Sequence, residues 1–191
     1  MTVKDIVQRY CPSDVPVYYH NDKNRKKYFS TCIRIKQSSR DNDEKDIGIY
    51  LPNASIDEAF SVLDSQSHYN TEIILDLIRN KICVPVNVSD QYLIVLFSTL
   101  HEFGHWDHFI SSELSGMEYT YKYYFLEGKF EARYREECSK ASSEEEKLDI
   151  YKRYSTVYRK LPMEAMADKY ALSMMQKIFN GEKELETNYD N

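Results

Sequence analysis

The sequence lacks a long apolar run and an excess of positive charge, and these two absences exclude whole classes of protein. No stretch of about 18 apolar residues occurs in the chain, so we expect no membrane-spanning helix and no membrane partner. The first residues contain no apolar secretion-signal core, which predicts a cytoplasmic protein. Lysine and arginine number 25 against 31 acidic residues, a net charge of −6, so nucleic acid is not expected as a direct partner.

Cysteine is also scarce, and its spacing argues against one kind of metal site. The chain has four cysteines, at positions 11, 32, 83 and 138, and none belongs to a Cys-x-x-Cys pair. A zinc site built on cysteine is therefore not expected, and we interpret these residues as reduced thiols.

The chain contains neither an internal repeat nor a low-complexity linker, and 42% of its 191 residues are apolar. This length and composition predict a single domain over residues 1–181. The acidic residues 182–191 that follow are expected to form a disordered tail.

The most informative stretch is His-Glu-x-x-His at residues 101–105. It lies in a proline-free segment, 89–110, with apolar residues close to helical spacing, which predicts a helix. Residues four apart share one face of a helix, so His101 and His105 can direct two imidazoles at one metal ion. Glu102 is displaced by about 100° around the helix axis, beside the metal. This is the arrangement of a zinc hydrolase in which Glu102 serves as the general base.

A catalytic zinc ion usually takes a third protein ligand, and the sequence suggests where to look for it. His108 is on the same helix, but three ligands on one straight helix cannot converge on one small ion. A carboxylate from a later element is therefore expected. Glu164 could be that ligand, with Asp168 four residues on accepting the outer N–H of a ligand imidazole. The alternative is a plain helix with two acids near its N-terminus, where the helix dipole favours them.

The remaining segments predict an α+β fold with a small antiparallel sheet and a mostly helical C-terminal half. Three short strands with polar links are expected to pair as an antiparallel meander. The expected strands are 15–20, 28–36 and 46–51, and the expected helices are 2–10, 55–63, 71–81, 89–110, 143–160 and 162–180. The tyrosine-rich stretch from 116 to 161 is predicted to be helical, with its tyrosines packing as amphipathic residues.

Two segments resemble the ImmA/IrrE-type zinc metallopeptidases of bacteria, phages and mobile elements. The first is Phe-Ser-Thr-Leu-His-Glu-Phe-Gly-His-Trp at 97–106, and the second is Glu-Ala-Met-Ala-Asp-Lys-Tyr-Ala at 164–171. The second differs from the family pattern at Met166, where many members carry Glu, and at Tyr170, where the family has Phe. The gap between His105 and Glu164 is longer than usual, which we interpret as a helical insertion at about 113–160.

The resemblance implies a zincin-like fold in which Glu164 is the third zinc ligand. It further implies a zinc-dependent endopeptidase that cleaves a specific protein partner, such as a DNA-binding transcriptional repressor. The insertion could shape a substrate groove or block one. A competing hypothesis is a zinc-binding interaction protein that acts on a regulator without hydrolysis, although such a protein would not require Glu102. A purely structural zinc site is a third possibility, but these sites are normally closed by four ligands and favour cysteine.

Overall fold

The computed structural model describes residues 1–21, 29–33 and 47–181, and these form a mostly helical α+β domain. The elements in chain order are α1 (Val3–Tyr10), β1 (Val17–His20), β2 (Ser30–Cys32), β3 (Gly48–Pro52), α2 (Ile56–Gln66), α3 (His68–Arg79), α4 (Asp90–Ser111), α5 (Gly116–Tyr119), a π-helical turn (Thr120–Tyr124), α6 (Phe125–Lys140), α7 (Glu144–Tyr158) and α8 (Pro162–Phe179). The predicted links between strands and the predicted tail at 182–191 lie outside the described residues.

Each of the three predicted strands is present among its described residues, with positions 28, 34–36 and 46 outside the described part of the chain, but the predicted antiparallel meander is wrong. The strand order is β1-β3-β2, with β3 parallel to β1 and antiparallel to β2. Every residue of β3 is buried, whereas β1 is only partly covered. The most apolar strand, β3, therefore lies at the centre of the sheet. The parallel pairing of β1 with β3 requires a crossover connection, and the chain between these two strands is long enough for one.

The predicted helices are confirmed, with shifts at some ends. A capping box at Ser55 and Glu58 opens α2, in agreement with the helix predicted from residue 55. Helix α3 begins three residues earlier than predicted because the Ser67 side chain accepts the backbone N–H of Asn70. Helix α8 has its proline in the first turn and is followed by Gly181 at a φ of 73°, a left-handed conformation that glycine adopts readily.

Helix α4 is the centre of the hydrophobic core. Residues 93–97, Leu-Ile-Val-Leu-Phe, are all at most 2% exposed, so this part of the helix is covered on every side. Helices α1, α2, α3 and α8 and the strands β2 and β3 surround it. A helix that is apolar all round is stable only when buried in this way. Its C-terminal half therefore places the His-Glu-x-x-His motif at a fixed position at the edge of the core.

Helices α4 and α8 pack tightly against each other at Gly104. A Cβ atom built on Gly104 would lie 2.7 Å from the Cα of Ala167 and 2.8 Å from its carbonyl oxygen. Both of these are backbone atoms, so no rotamer change could relieve the clash. Glycine at this position sets the distance between the two helices.

Replacing Gly104 with alanine should therefore destabilise the protein, because α8 must move away from α4. We expect the free energy of unfolding to fall by about 1–3 kcal/mol, as for other overpacked interiors. The matched control is Gly128→Ala, since no atom lies within 4 Å of a Cβ at that helical position; it should gain roughly 0.5–1 kcal/mol. Urea unfolding of both variants measures this difference. Equal stabilities would show that the α4–α8 contact is looser than described.

Among the described residues, we find no helix with the length and apolarity needed to cross a bilayer.

Candidate metal centre

Helices α4 and α8 bring together the three side chains predicted to bind metal. The Nε2 atom of His101 lies 3.3 Å from Oε2 of Glu164, and Nε2 of His105 lies 3.5 Å from Oε1 of the same carboxylate. One ligand atom from each residue falls within 4.8 Å of the other two. Within the part of the chain that the structure describes, this is the only such cluster of three histidine, cysteine or acidic side chains.

These distances match what a zinc ion requires. Zinc–ligand bonds of about 2.0–2.2 Å at tetrahedral angles place neighbouring ligand atoms roughly 3.3–3.6 Å apart. The two nitrogen–oxygen distances, 3.3 and 3.5 Å, lie within this range, each to a different oxygen of the Glu164 carboxylate. Two imidazoles and one carboxylate are also a ligand set typical of catalytic zinc, which leaves a fourth position free. The residues present therefore fit the ion that the sequence predicts.

The electrostatics of the cluster favour a cation at its centre. Burial opposes a charge on His101, but contacts with Asp168 and Glu164 outweigh it and raise the pKa of this imidazole to about 10. Burial would also raise the pKa of Glu164, yet the two histidines and the hydroxyl of Tyr158 lower it to about 2. Burial lowers the pKa of His105, which favours the neutral form that a ligand needs.

Asp168 occupies the position that its spacing from Glu164 predicts. Its Oδ1 atom lies 2.9 Å from Nδ1 of His101, on the side of the ring opposite the ligand nitrogen. Arg159 donates from Nη1 to both carboxylate oxygens of Asp168, at 2.7 and 3.0 Å. A carboxylate behind a ligand imidazole fixes the tautomer and orientation of the ring. The arginine in turn fixes the carboxylate.

Glu102 lies beside the cluster and is held by the edge strand β2. The hydroxyl of Thr31 lies 2.8 Å from Oε2 of Glu102 and 3.0 Å from its backbone oxygen, and can donate to either. Glu102 is 8% exposed and lines a cavity of about 480 Å³ that also contains His101, His105 and Glu164 in its wall. Its carboxylate therefore has access to a molecule bound in this cavity without replacing one of the three ligands.

Helix α7 of the predicted insertion also reaches the cluster. The hydroxyl of Tyr158 is 2.9 Å from Oε1 of Glu164 and 3.2 Å from Oε1 of Glu127 on α6. Burial, followed by the charges of these two carboxylates, raises the pKa of Tyr158 far above its ordinary value. The residue therefore remains a hydroxyl that can donate a hydrogen bond. Residues of the insertion thus form one wall of the cavity.

Sequence reasoning missed Thr31, Tyr158 and Arg159. The tyrosines between 116 and 161 were predicted to pack as amphipathic residues, and nothing in their spacing singled out Tyr158. The one usable signal is its position: Tyr158 and Arg159 end α7, just before the turn that leads to Pro162 and Glu164. His108, set aside as a ligand, lies elsewhere, with its Nδ1 atom 2.7 Å from the hydroxyl of Tyr119.

No protein-family model matches the chain, and searches of curated proteins and of solved structures also gave no match. The resemblance to ImmA/IrrE-type metallopeptidases therefore stays a prediction that rests on the two motif segments.

The contact between Asp168 and His101 should matter for metal affinity. We expect Asp168→Ala to bind zinc about 10- to 100-fold more weakly, the usual cost of losing a partner behind a ligand. Arg159→Gln should have a smaller effect in the same direction, because Asp168 remains but is less firmly held. Competition with a chromophoric chelator measures both affinities. The control is Arg153→Gln, which removes an exposed arginine of the same helix that pairs with Glu137. Wild-type zinc affinity in Asp168→Ala would contradict the assignment.

Proposed function

We propose that this protein is a zinc-dependent endopeptidase. The observation that carries the proposal is the cluster of half-buried His101 with buried His105 and Glu164, with Glu102 beside it, all in the wall of one open cavity. A structural zinc site would not need a carboxylate next to its ligands or an accessible cavity. The resemblance of residues 97–106 and 164–171 to ImmA/IrrE-type metallopeptidases supports the same function, a zincin-like fold, and a specific protein substrate such as a transcriptional repressor.

Glu102 is the general base in this proposal. When bound, zinc supplies Lewis-acid activation of water and of the scissile carbonyl. Because Thr31 lies within hydrogen-bond distance of Oε2, Oε1 is the oxygen left to take the proton of the attacking water. Glu102 then passes this proton to the leaving amine. His101, held by Asp168, and His105 keep their ligand nitrogens directed at the metal throughout.

Tyr158 is the residue placed to stabilise negative charge on the substrate oxygen. It is half-buried and protonated, and its hydroxyl donates to the ligand carboxylate Glu164 at 2.9 Å until a substrate oxygen replaces that acceptor. A hydroxyl donor aimed at the developing oxyanion contributes mainly in the transition state.

Tyr158→Phe should therefore lower kcat by about 100-fold with little change in KM, as is typical for loss of one oxyanion donor. The matched control is Tyr154→Phe, which removes a hydroxyl on the same helix that donates to Glu137 instead. Steady-state kinetics on one cleavable peptide compare the two variants. A Tyr158→Phe enzyme with wild-type kcat would remove this residue from the mechanism.

The proposed activity can be tested without knowing the natural substrate. The zinc-loaded protein is incubated with a diverse mixture of peptides, and new peptide termini are identified by mass spectrometry. We expect new termini that vanish when a chelator removes zinc and return when zinc is added back. If zinc is bound but no termini appear beyond those in the chelated sample, the interaction-protein hypothesis replaces the endopeptidase.

A further inference from the structure

The cavity extends from the metal centre along a wall formed by α6 and α7. Both helices present residues with the same spacing, which marks a single face of each helix. The residues that line the cavity are Glu127, Phe130, Glu131 and Tyr134 on α6 and Tyr151, Tyr154, Ser155 and Tyr158 on α7. The tyrosines of this segment were predicted to serve in packing. They do pack on one another, as Tyr134 and Tyr154 show with ring centroids 5.3 Å apart, but they also form the surface of the cavity.

The hydroxyl groups of Tyr151 and Tyr154 are already engaged, so these two tyrosines offer a ligand mainly their rings. Tyr154 donates to Glu137 at 2.6 Å, and Tyr151 is hydrogen-bonded to Ser67. These contacts fix the rings in place. The face of an aromatic ring carries partial negative charge and attracts ammonium and guanidinium groups.

The carboxylates that line the cavity carry negative charge, which is also the sign of the partial charge on the ring faces. Glu127 and Glu131 lie on the α6 wall, and among the described residues that line the cavity there is no lysine. The one arginine of the described lining, Arg159, is engaged with Asp168, and Arg153, which does not line the cavity, lies 5.8 Å from the ring centroid of Tyr154. Glu131 does contact Arg135 at 2.9 Å, but the arginine side chain is 77% exposed, and exposed pairs of this kind contribute little.

We propose that this wall is a specificity pocket for a lysine or arginine side chain of the peptide substrate. Ring faces and carboxylates together attract a cation, whereas an acidic side chain would be repelled by Glu127 and Glu131. The pocket adjoins the metal centre, so the scissile bond lies close to the basic residue. This inference rests on the proposed function, because it assigns a substrate class to the same site.

The test uses binding rather than cleavage. Zinc-loaded Glu102→Gln protein is titrated into fluorescent Gly/Ser peptides that contain two lysines, two norleucines or two glutamates, and anisotropy is recorded. We expect the lysine peptide to bind at least about tenfold more tightly than the other two, the scale of a few favourable charge contacts. Equal affinities for the lysine and norleucine peptides would show a merely apolar pocket and overturn the proposal.

A charge reversal shows whether the preference for the lysine peptide comes from the pocket or from the net negative charge of the whole protein. Glu131→Lys should remove most of the preference for the lysine peptide. Glu136→Lys is the matched control, since Glu136 is also exposed on α6 and also pairs with a basic residue four positions on, but does not line the cavity. We expect Glu136→Lys to bind the lysine peptide nearly as well as its parent. Equal losses in the two variants would mean that only net charge matters, and the proposal fails.

Failure of the proposed specificity pocket can be distinguished from failure of the proposed endopeptidase activity. Binding to the Glu102→Gln variant needs no hydrolysis, so a preserved lysine preference without any cleavage by the parent protein contradicts the endopeptidase alone. Cleavage of the peptide mixture without enrichment of lysine or arginine near the new termini contradicts the specificity pocket alone.

Discussion

Replacing Glu102 with glutamine should abolish peptide cleavage while zinc remains bound and the fold remains intact. The amide has nearly the shape of the carboxylate and can still interact with the hydroxyl of Thr31, which lies 2.8 Å from Oε2. It cannot accept a proton from water, so proton transfer at the reacting centre is lost. General acid–base catalysis raises the rate by about 10²–10⁴-fold, so we expect kcat to fall by a factor of at least about 100. Cleavage is measured on a peptide found in the mixture experiment, and zinc content on the same sample.

The control for this variant is Asp107→Asn. Asp107 lies on the same helix but is exposed, so this change also replaces an acid by an amide without touching the cavity. It should leave kcat within about twofold of wild type, as expected for a surface substitution. A Glu102→Gln protein that cleaves as fast as Asp107→Asn would refute the role of Glu102. If instead a biological effect of the protein survives Glu102→Gln unchanged, that effect comes from binding and not from hydrolysis.

Replacing Glu164 with glutamine should remove most of the zinc affinity. The amide oxygen is a weaker ligand, and the variant also loses the negative charge that His101 and His105 face at 3.3 and 3.5 Å. Loss of a side chain that contacts a metal ligand typically lowers metal affinity by about 10- to 100-fold, so loss of a ligand itself should lower zinc affinity by more than about 100-fold. Chelator competition gives the affinity, and circular dichroism shows whether the fold is retained.

A suitable control for the ligand is Glu145→Gln. Glu145 is also an acid in the first turn of its helix, α7, but it is exposed. Both variants therefore lose a similar interaction with a helix dipole, which is worth under about 1 kcal/mol. Only Glu164→Gln should lose zinc. Full zinc retention in that variant would remove Glu164 from the metal centre and leave Asp168 without its assigned role.

The parts of the site that lie within one helix could be predicted from the sequence. His101, Glu102 and His105 belong to one turn of α4, where spacing alone determines which side chains share a face. The same rule placed Asp168 one turn beyond Glu164 on α8. Its helix position and its spacing from Asp168 singled out Glu164 among the acids downstream but left a plain helix as an equal alternative, and the resemblance to a known motif favoured the ligand.

The contacts between distant elements could not be predicted. Thr31 reaches Glu102 only because β2 lies at an edge of the sheet, and the predicted meander did not give that strand order. Tyr158 and Arg159 reach Glu164 and Asp168 through the tight turn between α7 and α8. Their partners depend on how the helices pack, and residue spacing carries no information about packing across a turn.

The most direct test of the metal centre is anomalous diffraction at the zinc edge from a crystal of the zinc-loaded protein. We expect one peak within about 2.0–2.2 Å of ligand atoms from His101, His105 and Glu164, with the fourth position open to the cavity. A peak elsewhere, or a zinc ion closed by four protein ligands, would contradict a catalytic centre at this site.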